Sequence, residues 1–350
     1  MASTPLQAVA VCGPTASGKT ALGISLAHYL HGEIVNVDSV QVYTGADIGS
    51  AKATMAERRG VPHHLFDLVA PDQTMNAGEY REHAIASLKD ISARGKVPVL
   101  VGGSGMYLTI LLHGIAEVPA TPPDVRAAVV SLSREEQYDE LTLVDPATAA
   151  RLHVNDTQRV SRALEIFRVT GKKPSEFFEA HKFGDRDVAA LLIVICRERD
   201  ELYERINRRS RVMVDYGLIA ETRALLERYG KVPVLETIGY KQACEYLEGT
   251  IPLERVAEEI ALHTRRFAKR QMTFLRNEPA KRGWSVRPSG DEPGREIVGF
   301  TTESKRALAE TKGFRAMEVT EAELVARVQE RLRTPLERTE VWYVVGAGIG

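Results

Sequence analysis

The sequence predicts an α/β fold: a P-loop parallel-sheet core with a mostly helical region inserted into it. Three observations lead there. A short apolar run, Ala8 to Cys12, ends in a glycine-rich turn and is followed by helical apolar spacing. Strand-like and helix-like patterns then alternate through residues 1–115, as in parallel strands joined by helices. From Asp145 the texture changes to long helical periodicity, and Pro119, Pro122 and Pro123 mark the junction.

Taken in order, Ala8 to Cys12 reads as a buried strand and Thr20 to Leu30 as a helix with apolar residues at Leu22, Leu26 and Leu30. Ile34 to Val37 is a second strand ending at Asp38, Ala77 to Ala93 a helix, and Val97 to Val101 a third strand ending at Gly102-Gly103. A helix follows from Gly105 to Leu112. Thr157 to Thr170 carries a strong amphipathic pattern that stops at Gly171. Leu191 to Ile195 is a further strand. Arg199 to Tyr229 is a long helical stretch interrupted near Gly217, and Val256 to Leu275 is a helix rich in Arg and Lys. The expected division is a core from 1–115 and about 185–285, a helical insertion over about 116–184, and a C-terminal extension, 286–350, read as surface. In that extension Pro288 to Gly294 reads as a linker and Glu303 to Arg333 has room for two short helices. Val344 to Gly350 looks like the start of a dinucleotide-binding turn with no helix after it.

Composition excludes several classes. Of 350 residues 44% are hydrophobic and 27% charged, enough for a real core and unlike a disordered chain. The longest apolar run, Ala189 to Cys196, is far short of the ~20 residues of a membrane span, and the N-terminus lacks a signal peptide's pattern. The expectation is a soluble, cytoplasmic protein with no membrane partner. Cys12, Cys196 and Cys244 lie far apart with no zinc spacing, and the first two read as packed core. His63 and His64, adjacent in an extended segment, point opposite ways and do not read as a metal pair. Phe177 and Phe178 read as core. The net charge of -1 argues against a uniformly basic nucleic-acid binder but hides an asymmetry. Residues 1–150 carry 10 basic and 16 acidic side chains, 151–173 carry 6 and 2, and 263–282 carry 7 and 1. A local basic patch can face a polyanion.

Gly13, Pro14, Thr15, Ala16, Ser17, Gly18, Lys19 and Thr20 fit G-x-x-x-x-G-K-[ST], with a strand before and a helix after. Small residues let backbone N–H groups wrap a phosphate, and the helix N-terminus adds partial positive charge. Lys19 reaches the outer phosphate and the Thr20 hydroxyl can ligate Mg²⁺. In P-loop NTPases a strand typically ends in a metal-holding Asp. The third strand here ends Gly102-Gly103-Ser104, and the carboxylate sits instead at the end of the second, Asp38. Strand ends converge on the crevice beside the cradle, so Asp38 is placed for proton abstraction there.

Several motifs occur in one order: GPTASGKT (Gly13 to Thr20), DSVQVY (Asp38 to Tyr43), DIGSAK (Asp47 to Lys52), PHHL (Pro62 to Leu65), GGSGMY (Gly102 to Tyr107), NDTQRVSRALE (Asn155 to Glu165) and IGYKQ (Ile238 to Gln242). Together they resemble the tRNA dimethylallyltransferase (tRNA isopentenyltransferase) family, over about residues 6–285. The resemblance implies transfer of a dimethylallyl group from dimethylallyl diphosphate to N6 of adenosine 37 in tRNA, with Mg²⁺ assisting and diphosphate released. It implies Asp38 as general base, Arg209 on the diphosphate (with Arg208 adjoining in an uncertain register), Thr15 near the leaving oxygens, and Lys19 and Thr20 in phosphate and metal roles. It implies tRNA contacts at Asp38, Ser39, Val40 and Gln41, at Gln158, Arg159, Val160, Ser161 and Arg162, and at Ser104 and Arg126.

The charge asymmetry is consistent with this. Arg159 and Arg162 share a helix face, and Arg265, Arg266, Lys269, Arg270 and Arg276 form a stripe suited to phosphates. Three rivals remain: an isopentenyltransferase for free adenine nucleotides, a P-loop kinase for a small metabolite, and a non-enzymatic RNA-binding adaptor. The basic helical insertion favours tRNA over a small acceptor, and a tRNA clamp works as a monomer.

Overall fold

The computed structural model describes residues 4–116, 118–181, 187–282, 285–286, 295–299, 314–318, 321–337 and 339–345. Its strands are β1 (Leu6–Cys12), β2 (Glu33–Val37), β3 (His63–His64), β4 (Pro98–Gly102), β5 (Val188–Cys196), β6 (Ser285–Val286), β7 (Arg295–Gly299), β8 (Phe314–Glu318) and β9 (Glu340–Val345). The helices are α1 (Lys19–Tyr29), α2 (Met55–Arg58), α3 (Ala77–Ala93), α4 (Gly105–His113), α5 (Pro123–Val130), α6 (Arg134–Val144), α7 (Pro146–Ala149), α8 (Thr157–Thr170), α9 (Pro174–His181), α10 (Arg199–Asp215), α11 (Leu218–Tyr229), α12 (Tyr240–Leu247), α13 (Leu253–Arg282) and α14 (Glu321–Arg331). The chain forms two compact units, 1–112 with 186–350, and 113–185.

The first unit is built on one parallel sheet in the order β3-β2-β4-β1-β5-β9-β7-β8, with β6 beside β9. Alternate residues of β1 serve opposite faces, as a pleated strand requires. Ala8, Ala10 and Cys12 pack with Leu88 and Ile91 of α3 and Leu108 and Leu111 of α4. Val9 and Val11 pack with Leu22 and Leu26 of α1 and Leu324 and Val328 of α14. Burial on both faces explains why these strands read as continuous apolar runs. Register positions the site: Cys12 and Val37 both lie level with Gly102. The residues that follow, Gly13, Asp38 and Gly103, therefore leave the sheet side by side at its carboxyl edge, where α/β proteins bind ligands.

The C-terminal segment differs from its expected surface role. β9 pairs with β5 over Leu191 to Cys196, and Val341 and Val344 are fully buried. The apolar pattern of EVWYVV is that of an inner strand, and α14 covers the sheet through Leu324, Val325 and Val328. Of the two helices expected over Glu303 to Arg333, one is present as α14, and Phe314–Glu318 is strand rather than helix. The linker Pro288 to Gly294, the last five residues of the glycine-rich terminus and part of Glu303 to Arg333 lie outside the described residues.

The second unit is helical, α5 to α9, around a small core of Val129, Leu141, Ala149, Val160, Ala163 and Leu164. Asp145 holds its corner: the buried carboxylate accepts from the Thr148 and Ser175 N–H groups and hydroxyls. Phe177 is half-buried there. Among the described residues no helix is long and apolar enough to cross a membrane.

Candidate active site

The cradle is built by the turn from β1 into α1. Ser17 N–H closes on Pro14 O at 3.2 Å, and Ala16 and Gly18 take φ of +65° and +95°. Gly18 caps α1 without a side chain of its own, so the helix's first N–H groups have no side-chain cap. Three arginines clasp the loop from β5 and α10. Arg197 Nε donates to Ser17 O at 2.6 Å, Arg205 Nε donates to Ala16 O at 2.9 Å, and Arg209 Nη2 donates to Thr15 Oγ1. Ser17 Oγ is buried and has no hydrogen-bond partner among the described residues.

Burial pushes the Lys19 amine down to about 8, with Asp38 opposing the shift and Arg209 adding to it. Burial likewise brings Arg209 down to about 10, against the pull of Asp38. Both groups stay cationic at neutral pH. Positive charge concentrated on the wall of a cavity suits a multiply charged anion.

Asp38 follows β2. Its Oδ1 accepts from Val40 N–H at 2.9 Å, and Asn36 Nδ2 donates to the Asp38 carbonyl at 3.1 Å and to Leu65 O at 3.2 Å. The carboxylate is thus oriented by a local turn and a buried amide, with Oδ2 not engaged in that turn. Gln41 Nε2 ties the same segment to Ser50 O and Ala51 O at 3.1 and 3.2 Å. The DIGSAK stretch is anchored by Lys52, whose amine meets Tyr43 O at 2.9 Å and both Asp47 and Asp67 at 2.7 Å.

Three cavities share walls here. One of about 520 Å³ is lined by Thr15, Asp38, Ser39, Val40, Ser104, Met106, Arg209, Phe267, Gln271 and Phe274. A second, about 530 Å³, lies beyond the cradle against Gly18, Lys19, Thr20, Arg59, Arg205, Arg208 and Arg209. A third, about 50 Å³, touches Thr15, Lys19, Thr20, Asp38, Gln41 and His63. Arg209 lines all three, whereas Arg208 lines only the second. His64 Nε2 pairs with Glu33 at 2.7 Å and His63 Nδ1 bonds Val61 O at 2.8 Å, so the two rings do face apart. His63 Nε2, buried beside the small cavity, has no partner among the described residues.

Among the described residues no three His, Cys, Asp or Glu side chains cluster as a metal cage. Mg²⁺ needs none: it keeps several waters and is commonly held by one or two protein oxygens plus substrate phosphates. The Thr20 hydroxyl, on the small cavity, fits that role.

Sequence reasoning missed the residues whose partners come from far along the chain. Gln271 of α13 accepts from Thr15 N–H and donates to Gly103 O, each at 2.9 Å. A Cβ at Gly103 would stand 2.4 Å from Gln271 Nε2 and push that amide out of its present position. Glu221 of α11 accepts from the N–H groups of Asp47, Ile48 and Gly49 and from Tyr240 OH at 2.6 Å, fixing the loop that lines the first cavity.

A family model described as IPP transferase matches residues 41–278. This chain belongs to the IPP transferase family. The tRNA dimethylallyltransferase of Geobacter sulfurreducens is 45% identical over 286 residues, covering 80% of this chain and 92% of the relative. That of Anaeromyxobacter dehalogenans is 45% identical over 278 residues, covering 78% and 93%. The solved full-length tRNA isopentenylpyrophosphate transferase of Bacillus halodurans aligns with a TM-score of 0.61 at 32% identity, covering 94% of this chain and 96% of that one. A eukaryotic dimethylallyltransferase solved acting on tRNA aligns with a TM-score of 0.70 at 27% identity, covering 88% and 85%. The family's motifs in this chain fall into the site just described, apart from NDTQRVSRALE, which lies in the helical unit.

There Gln158 and Arg159 are exposed, and Arg162 is 43% and Arg126 61% exposed at their side chains. Val160 differs from its expected place on an RNA-facing surface. It is 1% exposed, because the α8 period that turns Arg159 and Arg162 outward turns Val160 inward with Ala163 and Leu164. Ser161 is half-buried, donating to Gln137 Oε1 at 2.6 Å. In the basic stripe of α13, Arg266, Lys269, Arg270 and Arg276 are exposed. Arg265 is drawn inward to Asn207 Oδ1 at 2.6 Å.

Proposed function

We propose that this chain transfers a dimethylallyl group from dimethylallyl diphosphate to N6 of adenosine 37 in tRNA, releasing diphosphate. One observation carries the reading: the cavity against the phosphate cradle and the larger cavity share Thr15, Asp38 and Arg209 in their walls. A donor and an acceptor entering from different sides would find each other there. The names and coverage of the relatives support the same substrates.

The chemistry follows from what these side chains can do. The adenine amine is a poor nucleophile because its lone pair is delocalised into the ring. Asp38 accepts the N6 proton as attack develops. The N6–C1 bond forms while the C1–O bond breaks, and its electron pair goes to the bridging oxygen of diphosphate. Arg209, Lys19 and the cradle N–H groups supply positive charge where that negative charge grows. Thr15, held by Arg209 and by Gln271, would face both ligands, since it lines both cavities. Mg²⁺, held by Thr20 with phosphate oxygens, would neutralise the diphosphate charge. An adenine in a stacked helix cannot reach such a cavity, so the acceptor is an unstacked loop base. The kinase rival is disfavoured by β4, which ends at Gly102 and runs into Gly103 and Ser104 with no carboxylate.

The test offers labelled dimethylallyl diphosphate and Mg²⁺ with either unmodified tRNA or AMP. Label on tRNA alone supports the reading. Label on AMP, or ATP turnover without prenyl transfer, overturns it.

A further inference from the structure

In the helical unit one buried acid gathers two exposed bases. The Glu165 side chain, on α8, is 8% exposed. Its Oε2 accepts from the Thr121 hydroxyl at 2.9 Å and from Arg162 Nη1 at 3.2 Å, and its Oε1 lies 3.5 Å from Arg126 Nε. Arg162 Nη1 also donates to the Thr121 hydroxyl, which closes the cluster. The Arg126 and Arg162 side chains stay 61% and 43% exposed, although they come from different helices, α5 and α8.

A buried carboxylate costs free energy unless it is paired, and exposed ion pairs return little. This arrangement has a use beyond stability. Each arginine carries five N–H donors, and Glu165 engages only one edge of each. Drawn to one carboxylate, the two guanidiniums sample fewer directions before any ligand arrives, so less side-chain entropy is lost on binding. Paired planar forks match the oxygens of a phosphodiester backbone. We propose that Glu165 is a positioning residue that presents Arg126 and Arg162 as a pre-set pair to the phosphate backbone of the RNA acceptor. The inference rests on the RNA-acceptor reading above.

Coulomb's law and positioning give opposite signs, which makes the idea testable. If Glu165 contributed only charge, removing it would strengthen attraction to a polyanion. If it positions, removing it weakens binding to the cognate RNA. The experiment compares wild type with Glu165→Gln, measuring binding of an anticodon stem-loop and of an unrelated hairpin of equal length by fluorescence anisotropy across a salt series, with thermal melting alongside. The expected result is about tenfold weaker binding of the stem-loop. The salt slope should fall by ~1–2, the loss of one or two phosphate contacts, with the melting temperature unchanged. Thr121→Val, which removes the hydroxyl shared by Glu165 and Arg162, should weaken stem-loop binding in the same sense. Unchanged or tighter stem-loop binding in both variants overturns the proposal. So does equal loss on both RNAs with a lowered melting temperature, the mark of a purely structural residue. Failure of the wild type to prefer the stem-loop would instead sink the RNA-acceptor reading, and this inference with it.

Discussion

Asp38→Asn isolates the base from the scaffold around it. The amide oxygen can still accept the Val40 N–H that Oδ1 accepts at 2.9 Å, and Asn36 still holds the backbone carbonyl. What disappears is the proton acceptor and one negative charge. A general base contributes about 10²- to 10⁴-fold, so turnover should fall by that factor while tRNA still binds. The lost charge has a second effect. Asp38 opposes the fall of the Lys19 amine to about 8, so its neutralisation takes that amine lower still. More of the lysine is then uncharged at pH 8, and the KM for the diphosphate should rise there more than at pH 7. Single-turnover transfer at saturating tRNA, measured at both pH values, reads the two effects separately. Transfer within about tenfold of wild type would refute Asp38 as the base.

Other outcomes follow from the same geometry. In the wild type, the half-buried Lys19 must be protonated to meet the donor, and bound diphosphate raises its pKa. Donor affinity should therefore be flat below about 8 and fall by roughly tenfold per pH unit above it, with proton uptake visible by calorimetry. Gln271→Leu removes the partners of Thr15 N–H and Gly103 O, and should raise the donor KM while costing about 1–3 kcal/mol in a denaturant titration. Glu33 is held well below the ordinary carboxylate range, first by the Arg94 hydrogen bonds. Its contribution is complete above the unfolded carboxylate pKa and is lost as pH falls toward the folded one, so Glu33→Gln should be less stable at neutrality and flatter in an acid melt. With Arg266, Lys269, Arg270 and Arg276 exposed on α13, a plot of log Kd for tRNA against log salt should have a slope of about 3 if those four meet phosphates.

Where structure is encoded locally, the sequence was legible. The helix Ala77–Ala93 is read to the residue, and the structure adds a capping box of Asn76 and Glu79 at its start. The amphipathic period gives α8 and its stop at Gly171, and the break at Gly217 separates α10 from α11. The cradle was legible because its residue types and its strand-helix context occur together. What escaped depends on distant partners. Gln271 meets Thr15 across 256 positions of sequence, and Glu221 meets Ile48 across 173, so neither shows a local signal. The two-residue β3 is too short to show alternation. EVWYVV could be placed beside β5 only once the sheet was seen. Val160 sits in a motif whose outward positions do not include it, and the helical period alone would have turned it inward.

The most direct measurement is nucleoside mass spectrometry of unmodified tRNA after incubation with the protein, Mg²⁺ and dimethylallyl diphosphate. The account predicts a five-carbon gain on adenosine 37, at N6, and none in a tRNA carrying guanosine there. Diphosphate release with no adduct on the tRNA, or an adduct at another position, would contradict it.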